Sequence, residues 1–416
     1  MNHYLPLLRH PGFRAIWGAA AISGFGDRIA AIALYLLIFR QTGNPVDLGI
    51  LAATQIIPAI VLGPVTGLCC DRLKRRSIMI ASDLLSALTV AVIPLASSPG
   101  QVYLLAALLG CGRQFTGPAR LALLPDVLPP ERLGAANSLL MLTRNLVLLI
   151  GPAVGGALVA WFGTDAAFWL DAATFVISAA ILVSWRYAGV PAAAPAIPAA
   201  IDPVLSLRSR AQRLWVDVVA GLQGVVGHPG LRLAFGFFAV LTFVTAMQQP
   251  LVVVFVKDVL AGSDVQLGLI ISAAGLGGIL GALSGGLVVG RRRPLRVIAL
   301  LTLLDGAFLL VFAVNRSFTG ALLIFACFGF LATLVQIALA TFLQATAPQD
   351  RRGRTFGWLG TAVGPLSLAA VFLGPLMATV VGVVAVLAAC GLAELAMGLL
   401  GARARTESGE PSAGTS

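Results

Sequence analysis

Twelve apolar stretches, each long enough to cross a lipid bilayer, leave this chain few folds to choose from. They cover approximately 14–38, 48–69, 77–97, 102–123, 134–162, 165–186, 232–256, 266–289, 295–314, 319–344, 355–380 and 382–402. A hydrocarbon core about 30 Å thick is crossed by roughly 20 residues of helix. Backbone groups find no water partner there, so each crossing has to satisfy its own hydrogen bonds, and barrel strands would be half as long and would alternate. The expected class is therefore an all-α membrane protein with twelve transmembrane helices. Basic residues outnumber acidic ones, 28 to 17, a balance that in a polar chain would suit a nucleic-acid partner. With 58% of residues hydrophobic and 11% charged, nucleic acid is excluded and the lipid bilayer is the expected surrounding.

The basic residues set the expected orientation. With the amino terminus inside, Arg40, Lys257 and Arg316 lie outside and Arg28, Arg113 and Arg144 within spans, while the remaining 22 of 28 face the cytoplasm. Both termini are expected in the cytoplasm of a bacterial cell, with the chain in its inner membrane. The start, MNHYLPLLRHPGFR, lacks the pattern of a cleaved leader and is expected to be retained. A Pro/Ala-rich segment follows span six, and after it Leu205, Leu214, Val218, Leu222 and Val225 alternate helically with Arg208, Arg210 and Arg213. That pattern suits a helix lying on the cytoplasmic face or a plain solvated linker helix. The expected organisation is a six-helix bundle over 1–188, a linker over 189–227, a second bundle over 228–403 and a disordered cytoplasmic tail over 404–416. Cys69, Cys70, Cys111, Cys327 and Cys390 show no paired spacing, and His3, His10 and His228 lie outside the spans, so no metal and no cofactor are expected. Phosphate-cradling glycine spacing is also missing, which removes ATP as the energy source, and no hydrolytic or redox constellation marks an enzyme.

The chain repeats itself. His10 to Arg14, HPGFR, returns as His228 to Arg232, HPGLR. Gly43, Val46, Leu48 and Gly49 recur at a constant offset as Gly262, Val265, Leu267 and Gly268, and Gly67 and Arg72 recur as Gly286 and Arg291. Glu131, Arg132 and Gly134 recur as Asp350, Arg351 and Gly353. Six spans separate equivalent points, so the halves are expected to be parallel repeats about an axis along the membrane normal. Such halves enclose a midplane cavity and rock about it.

The residues that carry these repeats resemble the major facilitator superfamily over the whole chain. Gly67-Leu-Cys-Cys-Asp71-Arg72-Leu-Lys74-Arg75-Arg76 is similar to the family's loop Gly-x-x-x-Asp-Arg-x-Gly-Arg-Arg, with Lys74 in place of the second glycine. Leu109, Arg113, Thr116 and Gly117 resemble a motif of proton-coupled members, and Gly151-Pro152-Ala-Val-Gly155-Gly156 resembles the core of the antiporter signature. Pro118-Ala119, Leu124-Pro125, Ala136-Asn137, Asp171 to Phe175 and Arg352-Gly353-Arg354 point to the drug:proton antiporter branch, with its macrolide efflux proteins and enterobactin-type siderophore exporters. The resemblance implies that the loop cations latch onto carboxylates or helix ends of the other half in one state. A purely topogenic charge cluster is the alternative. The glycines of span five serve a leak-resistant packing face or a gating bend.

Charges within the spans carry the functional expectation. Asp27, Arg28, Arg113, Arg144, Asp305 and Glu394 lie near mid-depth, Asp83 nearer the cytoplasm and Asp171 nearer the outside. Each costs roughly 3 kcal/mol in lipid unless it pairs, faces water or is neutral. Five acids against three bases leave surplus carboxylates for a proton or a cationic substrate. The resemblance places span one against the cavity, which makes Asp27 the leading proton or substrate carboxylate, with Arg113 beside it as a permanent cation. A structural ion pair with Arg113 or Arg144 is the competing role. Phe243, Met247, Gln248 and Gln249 of span seven, with Phe328 and Gln336 of span ten, would suit a bulky amphipathic ligand, or simply face lipid. The expected function is proton-driven export of a small organic molecule by a monomer. Uptake of a nutrient or lysophospholipid and a non-transporting scaffold or sensor are the alternatives.

Overall fold

The structure, a computed structural model, describes residues 5–185, 229–288, 294–346 and 352–407. The expected linker helix and most of the tail lie outside these residues, as do the side chains of Asp71 and Arg72 and the surroundings of Gly67. All regular structure among the described residues is helical. After a turn at Leu5–Arg9, the first unit holds α1 (Pro11–Thr42), α2 (Pro45–Arg72), α3 (Arg75–Val92) and α4 (Pro99–Val127). Pro130–Ser184 then runs as one helical stretch broken at Gly163, giving arms α5 (130–162) and α6 (164–184). The second half supplies α7 (Pro229–Val254), extended by a π-helical turn Phe255–Val259, then α8 (Asp264–Val288) and α9 (Pro294–Val314). It ends with α10 (Phe318–Thr346), α11 (Arg352–Val381) and α12 (Val383–Glu407).

Local chemistry explains the starts and the turns. The repeated His-Pro-Gly motif is a helix start: His10 is the N-cap of α1, its Nδ1 accepts from the Phe13 amide at 3.4 Å, and Pro11 fills the first turn. Proline has no amide hydrogen to lose there and its fixed φ is already helical. Asn44 and Pro45 begin α2 the same way, with Asn44 Oδ1 accepting from the Val46 amide at 3.0 Å. Gly163, at φ 81°, and Gly382, at φ 86°, reverse the chain between α5 and α6 and between α11 and α12. Both occupy the left-handed region that a side chain disfavours.

Ten helical segments among the described residues are long and apolar enough to cross a membrane, one of them the undivided α5–α6 stretch. Absent from them is α4, which carries Gln101, Arg113, Gln114 and Arg120 along its length. The helix left out is thus the one that carries two of the first unit's clustered arginines, Arg113 and Arg120.

Packing divides the described residues into two units. The first contains α1 to α6 together with Pro250–Gly275, which is the end of α7, the turn after it and the start of α8. The second contains the earlier part of α7, the later part of α8 and α9 to α12. A division purely at the linker would leave all of α7 and α8 in the second bundle. Glycine explains why their adjoining ends pack with the first unit. On α5, Gly155 lies against the Ile29 backbone of α1, while Gly156 sits on the Asp264 carbonyl of α8 and Gly268 sits on the Pro152 carbonyl. The Ala153 amide donates to Ser272 Oγ at 2.9 Å across the same contact. In lipid no hydrophobic force drives helices together, so close backbone approach through small residues supplies the attraction.

A bulky residue in this seam has nowhere to go. Gly156→Leu is expected to lower stability by roughly 1–3 kcal/mol, read as a lower melting temperature of the detergent-solubilised chain. An unchanged melting temperature would show that the α5–α8 contact is not made.

Candidate functional site

The intramembrane charges of the first unit meet around one ion pair. Asp27 is on α1 and Arg113 on α4, and Arg113 Nη2 donates to Asp27 Oδ1 at 2.5 Å. Both side chains are about a quarter exposed, 24% for Arg113 and 27% for Asp27, so the pair is reachable from outside the packed core. Arg28, the next residue, points elsewhere: its stem lies on Gly151 of α5, where an added Cβ would come within 2.6 Å of Arg28 Cβ. Adjacent helical residues differ by about 100° in direction, and Gly151 makes the room that the second direction needs. Thus the first glycine of the antiporter-type motif seats a charged side chain, while the next two seat helices.

Asp171 of α6 joins the same cluster. It is fully buried and lies directly against Gly26 of α1, where any side chain would collide with Asp171 Oδ1 and Thr174 Oγ1. Thr174 Oγ1 donates to the Asp171 carbonyl at 2.8 Å, while Oδ2 of Asp171 has no partner. Asp171 is within electrostatic reach of both Asp27 and Arg113. Asp83 of α3 is 2% exposed and accepts a 2.6 Å hydrogen bond from Ser178 Oγ of α6, with Asp27 and Arg120 also near enough to act on it. Arg120 in turn feels Arg144, which is exposed on α5. Sequence depth separated Asp83 and Asp171 from Asp27, yet helix packing brings all three acids together with four arginines. Arg120 is the member that sequence reasoning missed, because it had been assigned to the cytoplasmic end of its span. Its one sequence signal is its spacing from Arg113, seven residues or two helical turns.

The loop cations have partners different from those the latch expectation requires. Arg75 Nη1 donates to Asp126 at 2.7 and 2.8 Å and to the Ala122 carbonyl at 3.0 Å, all on α4. Arg76 donates to the Leu182 and Val183 carbonyls at 2.8 and 2.9 Å, and its guanidinium lies 6.0 Å from the Trp185 ring centre. These partners belong to the same half of the chain, not the other one. Carbonyls at the end of α6 lack intrahelical donors and carry the negative end of the helix dipole, so a nearby arginine is drawn to them.

At the far end of α1 a second ion cluster lies within the first unit. Arg40 Nη2 pairs with Asp264 Oδ2, and Lys257 Nζ pairs with Asp264 Oδ1 at 2.5 Å and reaches the Gly262 carbonyl at 3.0 Å. Arg40 and Lys257 are two of the three cations expected outside. Asp264 was not singled out in the sequence, although it starts α8 two residues after the repeated glycine, Gly262.

Residues expected to line a cavity are dispersed over several environments. Met247 of α7 is 5% exposed and packs on Gly374 of α11, with Cys390 Sγ of α12 at 3.3 Å from its sulfur. Phe328 of α10 stacks edge-on with Phe312 and Phe325, at 6.2 and 5.6 Å between ring centres. Phe243 and Gln248 are half-buried, and Gln249 and Gln336 are exposed. A pocket of about 570 Å³ opens elsewhere, between α2, α3 and α4, with Ile78, Leu85, Cys111 and Phe115 among its lining residues. It adjoins the charge cluster, since Ser82 and Gly112 also line it.

The chain as a whole has counterparts among known proteins. The family model of the Major Facilitator Superfamily matches residues 16–371. The multidrug efflux pump Tap of Mycolicibacterium fortuitum is 31% identical over 400 residues, covering 92% of this chain and 93% of that protein. The enterobactin exporter EntS of Salmonella choleraesuis is 27% identical over 386 residues, covering 89% and 87%. Among solved structures, a bacterial homologue of the human lysosomal transporter Spinster, inward-facing and unoccupied, matches with a TM-score of 0.72 at 14% identity, covering 97% of this chain and 98% of that one.

Arg113 compensates two acids, so removing it should cost more than removing it together with Asp27. Arg113→Ala is expected to be less stable than Arg113→Ala/Asp27→Asn by on the order of 2 kcal/mol, seen in parallel melting curves. Equal losses would mean that the cation and Asp27 are not coupled.

Proposed function

The chain belongs to the Major Facilitator Superfamily, and we propose that it is an exporter of drug-like or natural-product molecules driven by proton antiport. It is a multi-pass membrane transporter and not an enzyme. Export is supported by the names of its relatives, a multidrug efflux pump and an enterobactin exporter. Proton coupling is supported by one observation above all, the partly exposed Asp27–Arg113 pair set beside a fully buried, half-satisfied Asp171.

The chemistry of that trio suggests the mechanism. Arginine keeps its charge, so Arg113 can neutralise only one of the two carboxylates at a time. A proton from outside neutralises Asp27 and frees the guanidinium, which turns to the vacant Oδ2 of Asp171. Release of the proton inside restores the Asp27 pair. Each exchange changes which helices are held together, α4 with α1 or α4 with α6, and a two-state contact of this kind can bias the rocking of the halves. The seam at Gly155, Gly156 and Gly268 and the Arg40–Asp264–Lys257 cluster hold one side closed in one state. The apolar and amide side chains Phe243, Gln248, Gln249 and Gln336 remain the proposed ligand contacts in the second half. In this reading the protein works as a monomer in the bacterial inner membrane with both termini inside.

The test is transport in proteoliposomes with an imposed proton gradient. Asp27→Asn is expected to abolish gradient-driven efflux of a fluorescent dye substrate while leaving dye binding within about threefold, since the amide keeps the shape and loses the titratable group. Unchanged proton-driven efflux removes Asp27 from the mechanism. Dye accumulation in the uptake direction without proton movement overturns the antiport reading.

A further inference from the structure

Two carboxyl groups in the second unit have no part in this mechanism. Asp305 is on α9 and Glu394 on α12, and these helices pack closely along their length. Their crossing is set by a pair of glycines. A Cβ on Gly306 would lie 2.7 Å from the Gly391 carbonyl oxygen and 3.0 Å from Glu394 Cβ, and a Cβ on Gly391 would lie 2.9 Å from the Gly306 carbonyl oxygen. The crossing brings the Asp305 and Glu394 carboxyls into each other's electrostatic and hydrogen-bonding range. Glu394 is 1% exposed. No oriented hydrogen bond satisfies Asp305 Oδ1 or either oxygen of Glu394.

Among the described residues, nothing packed against the pair supplies a positive charge. On the elements packed around the pair, α10 carries no ionisable group except Cys327, and α7 carries only Arg232 in its first turn. The charges of α11 are Arg352 and Arg354 at its start, and those of α9 and α12 besides the pair are Arg296 in the first turn and Arg403, Arg405 and Glu407 at the far end. Cys390, one turn before Glu394, is the remaining ionisable neighbour, and its sulfur contacts Met247. No group of three or more metal-ligating side chains occurs among the described residues. Two ionised carboxylates placed together in hydrocarbon, with no cation, would repel each other and pay two desolvation penalties. One carboxylic acid donating to one carboxylate, or two acids, relieves this.

We propose that Asp305 and Glu394 form a proton-binding carboxyl pair in the second unit, separate from the Asp27 cluster, with the proton as its only ligand. The proton bridges α9 and α12 where Gly306 and Gly391 bring them into contact. Through Cys390 and Met247 the site adjoins α7, so its occupancy is felt by a helix that supplies proposed ligand contacts. This site stands whether or not the exporter reading holds, because it needs only the packing of α9 on α12.

Infrared spectroscopy of the full chain in detergent tests it, since a protonated carboxyl has a C=O stretch distinct from that of a carboxylate. At neutral pH the wild type and Asp27→Asn are expected to show a protonated-carboxyl band, part of which disappears in Asp305→Asn/Glu394→Gln and shifts on exchange into deuterium oxide. If the double variant folds poorly, Glu394→Gln alone serves: its amide donates in place of the proton, so its melting temperature should match the wild type, whereas Glu394→Ala should melt lower. Identical carboxyl bands in the wild type and the double variant, or in the wild type and Glu394→Gln, would overturn the proposal. A rise in wild-type melting temperature with sodium at constant ionic strength, lost in Glu394→Gln, would also overturn it, because the ligand would then be a metal cation.

Discussion

Seven ionisable side chains of the first unit act electrostatically on one another across neighbouring helices, and in hydrocarbon an unpaired charge costs several kcal/mol. The packing of α1 against its neighbours is arranged around keeping them within reach of one another. Gly26 admits Asp171 and Thr174 to the surface of α1, and Gly151 admits the stem of Arg28. Without those two glycines, α1 could not present Asp27 to Arg113 on one side and Arg28 to α5 on another. The ion pair and the small residues are therefore one device: the glycines fix where helices approach, and the approach fixes which charges can meet.

The same economy of small residues organises the rest of the molecule. Gly155, Gly156 and Gly268 bring α5 against α1 and α8, while Gly306 and Gly391 bring α9 against α12. Each close crossing has a polar group beside it. Ser272 answers the Ala153 amide at the first, and Asp305 and Glu394 flank the second. Backbone contact excludes lipid, and a polar side chain at such a place is shielded within protein, where a partner can be supplied.

Much of the fold was legible in the chain. The apolar stretches and the repeated His-Pro-Gly start follow from hydropathy and helix-capping chemistry, both of which act on local sequence. The candidate site was legible in most of its members and in the pairing of Asp27 with Arg113, but not in the part of Arg120 or the approach of Asp83 and Asp171. A count along the spans found five acids against three bases and suggested one shared surplus. In the structure the first unit holds Asp27, Asp83 and Asp171 with Arg28, Arg113, Arg120 and Arg144, whereas the second holds Asp305 and Glu394 at the α9–α12 crossing with no cation near them among the described residues. The surplus of acid is segregated, and it lies away from the residue that first drew attention. Arg75 and Arg76 make the same point, since their type and spacing matched a latch between halves while their partners are Asp126 and the end of α6.

Sequence alone determined that this chain crosses the membrane repeatedly as helices and that charged residues fall within its apolar stretches, because both depend on composition along a single helix. It also marked Asp27, Arg113 and the span-five glycines. Tertiary structure decided which charge faces which: that Arg113 bonds to Asp27 within electrostatic reach of Asp171, that Arg120 joins them, and that Asp305 meets Glu394. The reason is geometric. Position in a span gives depth to within a turn, but partners are chosen by rotation about the helix axis and by which neighbour lies there. That is settled only when the glycine faces of different helices come into contact.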